Sequence, residues 1–245
     1  MTRALLADAL REGLRTVGWT AAAGVLLVVV VAPSVGGMAL GARARTTVDA
    51  VLWVQWLVPQ IVALQLGTAL LGPVGLRQVV LSGPVSVPRW VALRWGAAAG
   101  LLGALVAVMV GAGAAVSAVR GVGLGMAAHG VSVWLEALVW LGLTAWARAL
   151  GARGWLAALA AATVALAGHV QGELVAAAGT WGLDGVVGVA LLAVPGMQRA
   201  SVEGPLITGL PLDAGAVGWG WLHLLGWSLA TAGATVLVMS RRDPV

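Results

Sequence analysis

The chain contains no cysteine, lysine, asparagine, phenylalanine or tyrosine, and these absences exclude several kinds of site. Without cysteine there is no disulfide, no thiolate metal site and no cysteine nucleophile. Without lysine there is no P-loop of the form G-x-x-x-x-G-K-[ST], so ATP is not bound and hydrolysed by that route. Apart from cysteine, the missing residues have AT-rich codons, which indicates a GC-rich bacterial genome rather than a selection for function.

Charge is also scarce: 9% of the 245 residues are charged, 60% are hydrophobic, and the mean hydropathy is +0.99. Ordinary soluble domains have about 25% charged residues. The composition therefore predicts an all-α, polytopic protein of the bacterial cytoplasmic membrane. The net charge of +5 comes from arginines that flank the apolar runs, where they set membrane orientation, and we expect no nucleic-acid partner.

Six apolar runs are long enough to cross a membrane as helices, with approximate bounds 19–40, 49–71, 91–119, 129–147, 155–178 and 218–239. If the N-terminus is inside, ten arginines fall in cytosolic segments and four outside, so both termini are predicted to be cytosolic. The loops are short, which predicts antiparallel neighbours. We expect a single transmembrane domain over residues 1–245.

Two further elements are predicted beside the spans. Residues 1–18 have the pattern of an amphipathic helix lying on the inner membrane surface, with Leu6, Leu10 and Leu14 on its apolar stripe. A signal peptide is the alternative, although the acidic residues and the long charged lead-in disfavour it. Residues 179–217 form an extracytoplasmic segment, whose apolar run 186–194 is too short to span and predicts a re-entrant or interfacial element.

Polar residues inside the spans are candidates for a substrate path, because such groups are costly in a membrane. The residues proposed for this path are Gln60, Glu136, His169 and Glu173. His169 and Glu173 are four residues apart, which predicts that they share one helix face. A structural ion pair or an interfacial position is the alternative for the two glutamates. For the histidines His129, His169 and His223, a metal or haem site competes with a polar cluster that lines an outer vestibule or is simply paired within the bundle.

The most conspicuous polar break is the segment from Gly75 to Trp95, GLRQVVLSGPVSVPRWVALRW, between the second and third spans. The order of its glycine, leucine, proline and serine residues over 75–86, and the R-R-D near the C-terminus, resemble the membrane subunits of ABC type-2 transporters. Acidic residues expected before Gly75 in that family are absent here.

The resemblance implies an exporter permease that forms a homodimer or heterodimer and works with a separate P-loop ATPase. The permease would itself be no enzyme and carry no cofactor. Residues 75–90 would be the cytosolic coupling segment, in which the contacts to the ATPase would be made by Arg77, Val79, Val80, Leu81, Pro84 and Arg89. An ordinary cytosolic loop is the alternative for this segment. For the whole chain, the alternative is a non-transporting scaffold or cofactor-holding subunit of a larger complex.

Overall fold

The computed structural model describes residues 2–36, 42–72, 85–118, 124–202 and 211–242, and all regular structure in these ranges is helical. The elements in chain order are α1 (Thr2–Gly36), α2 (Ala42–Ala69), α3 (Val87–Ala118), α4 (Leu124–Ala149), α5 (Gly154–His169), α6 (Gln171–Gly179), α7 (Asp184–Leu191), a 3₁₀ helix (Met197–Ala200) and α8 (Ala214–Arg242). The predicted all-α class is confirmed for these residues.

Several of these helices are long and apolar enough to cross a membrane. Within the described ranges four qualify, over Val51–Ala69, Val87–Ala115, Met126–Ala149 and Ala214–Arg241, and α5 with α6 makes a fifth if that bent pair is one span. This number fits a multi-pass membrane protein. The predicted total of six spans stays a prediction.

Contacts between side chains give the direction of each long helix. Helices α2, α4 and α8 run parallel to one another. Between α2 and α4, contacts pair Trp56 with Glu136 and Gly67 with Thr144. Between α4 and α8, they pair Ser132 with Trp221 and Gly142 with Thr231. Helices α1, α3 and α5 run antiparallel to α2. Contacts with α2 pair Thr20 with Gln65 and Gly24 with Val58 for α1, and Met109 with Gln55 and Arg94 with Ala69 for α3. For α5 they pair His169 with Trp56 and Gly154 with Thr68. The start of α1 and the end of α8 therefore lie at one end of the bundle.

Arginines concentrate at that end, which we call the arginine-rich end; it contains Arg3, Arg11, Arg15, Arg89, Arg94, Arg148, Arg153 and Arg241. At the opposite end lie α6, α7 and the 3₁₀ helix, which we call the cap, and the first residues of α8. Of the arginines whose side chains are described, only Arg199 belongs to the cap end.

Helix α4 is the centre of the bundle and α8 lies at its edge. In the most apolar 18-residue stretch of α4, 78% of the residues are buried, whereas in that of α8 28% are buried. Gly67 on α2 and Gly142 on α4 allow close packing, since a methyl group at either position would overlap Thr144 or Thr231 on the neighbouring helix.

Helix α1 is continuous across Gly18, where the sequence predicted a boundary between an interfacial helix and the first span. Its face toward α2 and α3 consists of small residues, with Ala9, Gly13 and Val17 buried. Leu14, part of the predicted apolar stripe, is 56% exposed. A position of residues 1–18 on the membrane surface stays a prediction.

Other boundaries differ from those predicted. Helix α2 begins at Ala42, before the predicted start of the second run at 49, and α4 begins at Leu124, before the predicted start of the fourth run at 129. Helix α2 continues through Pro59, which has no N–H to donate to the carbonyl of Gln55. In the 179–217 segment, α7 is a short helix with no buried residue. Its re-entrant or interfacial character stays a prediction.

Candidate functional site

A buried carboxylate joins three helices near the cap end. Trp56 on α2 donates a hydrogen bond from its indole Nε1 to Glu136 Oε2 on α4, at 2.7 Å. His169, the last residue of α5, places its Nε2 3.1 Å from the same oxygen, within ion-pair distance but not aligned for a hydrogen bond. Glu136 is 3% exposed, so these contacts replace the water that a carboxylate needs.

Aromatic rings surround this carboxylate. The ring of Trp56 makes edge-to-face contacts with His169, at 5.0 Å between centroids, and with Trp140, at 6.3 Å. Trp53 contacts Trp56 in the same geometry at 5.6 Å. Such contacts fix the orientation of the indole and direct its N–H at Glu136. We call Trp56, Glu136 and His169 the polar centre.

The polar centre depends on the helix directions described above. Because α2 and α4 run parallel and α5 returns antiparallel, the middle of α2 meets the middle of α4 and the end of α5. After His169 the chain bends by 70° into α6. At this bend Gly168 packs so closely on the carbonyl of Pro195 that a methyl group would overlap it, which places the end of α5 beside the cap.

Gln60, also predicted for the path, lies one turn after Trp56 on α2. It is completely buried, and neither atom of its amide has a hydrogen-bond partner among the described residues. Gln55 on the same helix donates to the carbonyl of Met109 at 2.9 Å, and its Oε1 has no partner in the described part. A buried amide without hydrogen-bond partners lowers the free energy of unfolding by about 1–3 kcal/mol, so a polar group that bonded to these amides would stabilise α2.

Glu173 is separate from the polar centre. It lies on α6 beyond the bend, is exposed, and accepts a weak hydrogen bond from Gln198 Nε2 at 3.3 Å. The prediction that His169 and Glu173 share a helix face is therefore wrong. Of the four predicted path residues, the structure brings Glu136 and His169 together, leaves Gln60 on the same helix as Trp56, and puts Glu173 on the cap.

The predicted coupling residues lie mostly outside the described residues. Those outside are Arg77, Val79, Val80, Leu81 and Pro84. Arg89 is exposed in the first turn of α3, where Val85, Val87 and Trp90 are buried around it. Helix α3 is thus firmly packed from its first turn.

Arg94 forms a junction of three helices whose partners the sequence reasoning missed. It pairs with Glu12 on α1, donates to the carbonyl of Ala69 at the end of α2 at 3.3 Å, and lies 5.4 Å from the ring centroid of Trp90. Arg94 is 8% exposed and Glu12 is 32% exposed. A signal was available, since an arginine inside an apolar run needs an acidic partner, and Glu12 is one of few candidates.

Two other sets of polar residues were missed. Ser132 on α4 donates to the carbonyl of Ala200 at 2.6 Å and accepts from Trp221 Nε1 at 2.9 Å, which ties α4 to the cap and to α8. Ser228, Thr231 and Thr235 form a buried hydroxyl stripe on α8, each bonded to its own helix backbone. Their spacing of three and four residues is a signal that sequence analysis offers.

The described residues contain no group of three or more histidine or acidic side chains placed to hold a metal ion. No protein-family model matches the chain, and no curated protein is similar to it. The function must therefore be argued from the geometry. The polar centre offers one carboxylate, one imidazole and one indole N–H, a set suited to binding a cation, a proton or a hydrogen-bonding substrate group.

Proposed function

We propose that this chain is the permease subunit of an ABC-2-type exporter and moves a substrate using ATP hydrolysed by a separate P-loop ATPase. In this proposal α1 is also a span, which makes six with the bent α5–α6 pair. The arginine-rich end, with both termini, faces the cytosol of a bacterial cell. The permease forms a homodimer or heterodimer.

The observation that carries the proposal is the Arg94 junction. Helix α2 ends at Ala69 and α3 begins at Val87, both at the arginine-rich end, and the family-like residues 75–86 lie between them in the sequence. Arg94 binds both the end of α2 and Glu12 of α1. A force that a partner applies to the connection would reach three long helices through one side chain.

The distribution of charge supports the orientation. Eight arginines with described side chains lie at the arginine-rich end and one at the cap end. Arginine is enriched in cytoplasmic segments of membrane proteins. Basic residues around 75–90 would also attract an acidic rim on the ATPase.

Helix α2 supports a transport mechanism because it connects the junction with the polar centre. Ala69 and Trp56 are thirteen residues apart on one helix, a distance of about 20 Å. A shift of α2 driven from the arginine-rich end would move Trp56 relative to Glu136. Gln60 lies between them and is buried without a hydrogen-bond partner among the described residues, so it would gain hydrogen bonds if such a shift admitted water or substrate.

Co-purification tests the proposal. The full chain should be isolated from its native membranes in mild detergent and the bound proteins identified, with ATPase activity measured on the complex. We expect a P-loop ATPase to be present in the wild-type preparation. The double variant Val80→Asp with Leu81→Asp should lose this subunit or its stimulated ATPase activity, since it puts charges on the proposed apolar contact.

A matched control is Val189→Asp, which makes the same change at an exposed valine of α7 at the cap end. It should retain the ATPase. Absence of any ATPase from the wild-type preparation would refute the proposal. Equal retention by the double variant and the control, with equal activity, would reduce residues 75–90 to an ordinary loop.

A further inference from the structure

An apolar groove runs along the outside of the bundle between α1 and α3, with α2 at its base. Its volume is about 580 Å³, and its lining residues are all apolar or glycine. Leu14, Gly18, Ala22 and Leu26 form the α1 wall, and Val62 lies at the base. The groove exists because Gly18 and Ala22 present almost no side chain, and a methyl group added at Gly18 would meet no atom within 4 Å.

The length of the groove corresponds to one leaflet of a bilayer. Leu14 and Leu26 are twelve residues apart on one helix, which is about 18 Å. The hydrocarbon core of a bilayer is about 30 Å thick, so one leaflet contributes about half of that. Trp19, which is 89% exposed beside the groove, is a residue type enriched where hydrocarbon meets headgroups.

Among the described side chains, positive charge lies at one end of the groove. Arg11 and Arg15 precede Gly18 and Ala22 at helical spacing, so all four share a face of α1. Both guanidinium groups are exposed, and in the described part of the chain neither forms an ion pair; the neighbouring Glu12 is paired with Arg94. The other end of the groove, near Leu26 and Val108, is apolar.

We infer that this groove binds a phospholipid with an anionic headgroup, from the leaflet at the arginine-rich end. An acyl chain lies along Gly18 and Ala22, and the phosphate contacts Arg11 and Arg15. A lipid is favoured over a helix from a second copy of the chain because the exposed Arg11 and Arg15 at one end of the groove match an anionic headgroup. This inference needs only the membrane location and is independent of any ATPase.

Native mass spectrometry of the full chain in detergent tests the inference. After delipidation, dioleoylphosphatidylglycerol and dioleoylphosphatidylcholine are added in equal amounts, and the lipids retained per chain are counted. We expect one firmly retained lipid with a preference for the anionic one. Arg11→Gln with Arg15→Gln should reduce that preference roughly tenfold or more, because each arginine near an anionic surface contributes about one kcal/mol.

Gly18→Leu with Ala22→Leu should fill the groove and abolish firm retention of both lipids. Matched controls are Arg241→Gln, an exposed arginine at the same end, and Gly226→Leu, an exposed α8 glycine with open space around it; neither should change retention. Thermal unfolding of each variant checks that the fold is intact. The inference is overturned if the filled variant retains the lipid as well as wild type does, or if filling dissociates a dimer without changing retention.

Discussion

At the arginine-rich end, one guanidinium, that of Arg94, joins α3 to both α1 and α2, whereas the cap is attached by separate hydrogen bonds. The bonds between the cap region and the bundle are Ser132 to Ala200 and Gly196 to His223, while Gln171 joins α6 to the end of α7 within the cap. A lost contact at the first end loosens three long helices together. A lost contact at the cap end frees only a short segment. The cap can therefore open locally while the bundle stays folded.

The largest effect is expected from Glu136→Ala, which removes the carboxylate that joins α2, α4 and α5 at the polar centre. It leaves the buried Trp56 Nε1 without an acceptor and should lower the free energy of unfolding by about 3 kcal/mol. Denaturant titration in detergent, followed by tryptophan fluorescence, measures it. Glu136→Gln keeps an acceptor oxygen and should lose much less; equal losses would mean that the hydrogen bond contributes little.

The Glu136→Gln variant also tests the proposed path. If Glu136 binds a substrate group or a proton, this variant should fold normally while its substrate-stimulated ATPase activity falls severalfold in the purified complex. Glu173→Gln, on the exposed cap, should behave like wild type. Unchanged activity in both variants would leave the polar centre a structural contact.

Gly220→Ala should weaken the attachment of the cap. A methyl group there would overlap the carbonyl of Arg199, which is backbone and cannot rotate away, so we expect a cost of about 2 kcal/mol. Since the chain lacks cysteine, a single Met197→Cys background reports cap opening by its rate of maleimide labelling. Labelling should accelerate in Gly220→Ala but not in the control Gly226→Ala, which has open space. Global unfolding without accelerated labelling would contradict local release.

Arg94→Gln should lower the free energy of unfolding by between about 1 and 2 kcal/mol, because Glu12 is partly exposed and water can replace the lost partner. The same fluorescence titration measures it. Labelling at Met197→Cys should stay unchanged, since the junction is far from the cap. Arg241→Gln serves as the control and should leave both quantities unchanged. Faster labelling in Arg94→Gln would break the distinction between the two ends.

The smallest effect is expected from Ser132→Ala. It removes a donor to Ala200 and an acceptor for Trp221, each worth about 1 kcal/mol or less. Labelling of the Met197→Cys background should accelerate slightly, and the unfolding titration should hardly change. Thr163→Ala is the matched control, because this exposed hydroxyl bonds only to its own helix at Leu159. A global loss as large as that of Arg94→Gln would contradict the comparison.

Sequence alone predicts the helical class, because apolar run length is a local property. The predicted fourth span, 129–147, lies inside α4. Boundaries were less accurate: the predicted start of this span, at 129, comes five residues after Leu124, where α4 begins. Composition also cannot separate the central α4 from the peripheral α8, since both are apolar and burial depends on which neighbours surround them.

The candidate site was predictable only as separate residues. Glu136 and His169 stand out because ionisable groups are rare in spans, but their pairing requires the packing of α4 against α5 and the indole of Trp56. The spacing of His169 and Glu173 predicted one shared helix face, but the chain bends after His169. This bend is stabilised by contacts with residues distant in sequence. Gly168 packs on Pro195, and Gln171 Nε2 donates to the carbonyl of Leu191 at 2.7 Å.

Pro59 gives α2 a mechanical property that hydropathy does not reveal. Because the carbonyl of Gln55 receives no N–H from position 59, that turn has one backbone bond fewer to break when the helix bends. The weak turn lies between the Ala69 end, held by Arg94, and the start of α2. Helix α2 therefore bends more easily at this turn than at a turn with all its backbone bonds, and a push at the Ala69 end would bend it close to Trp56.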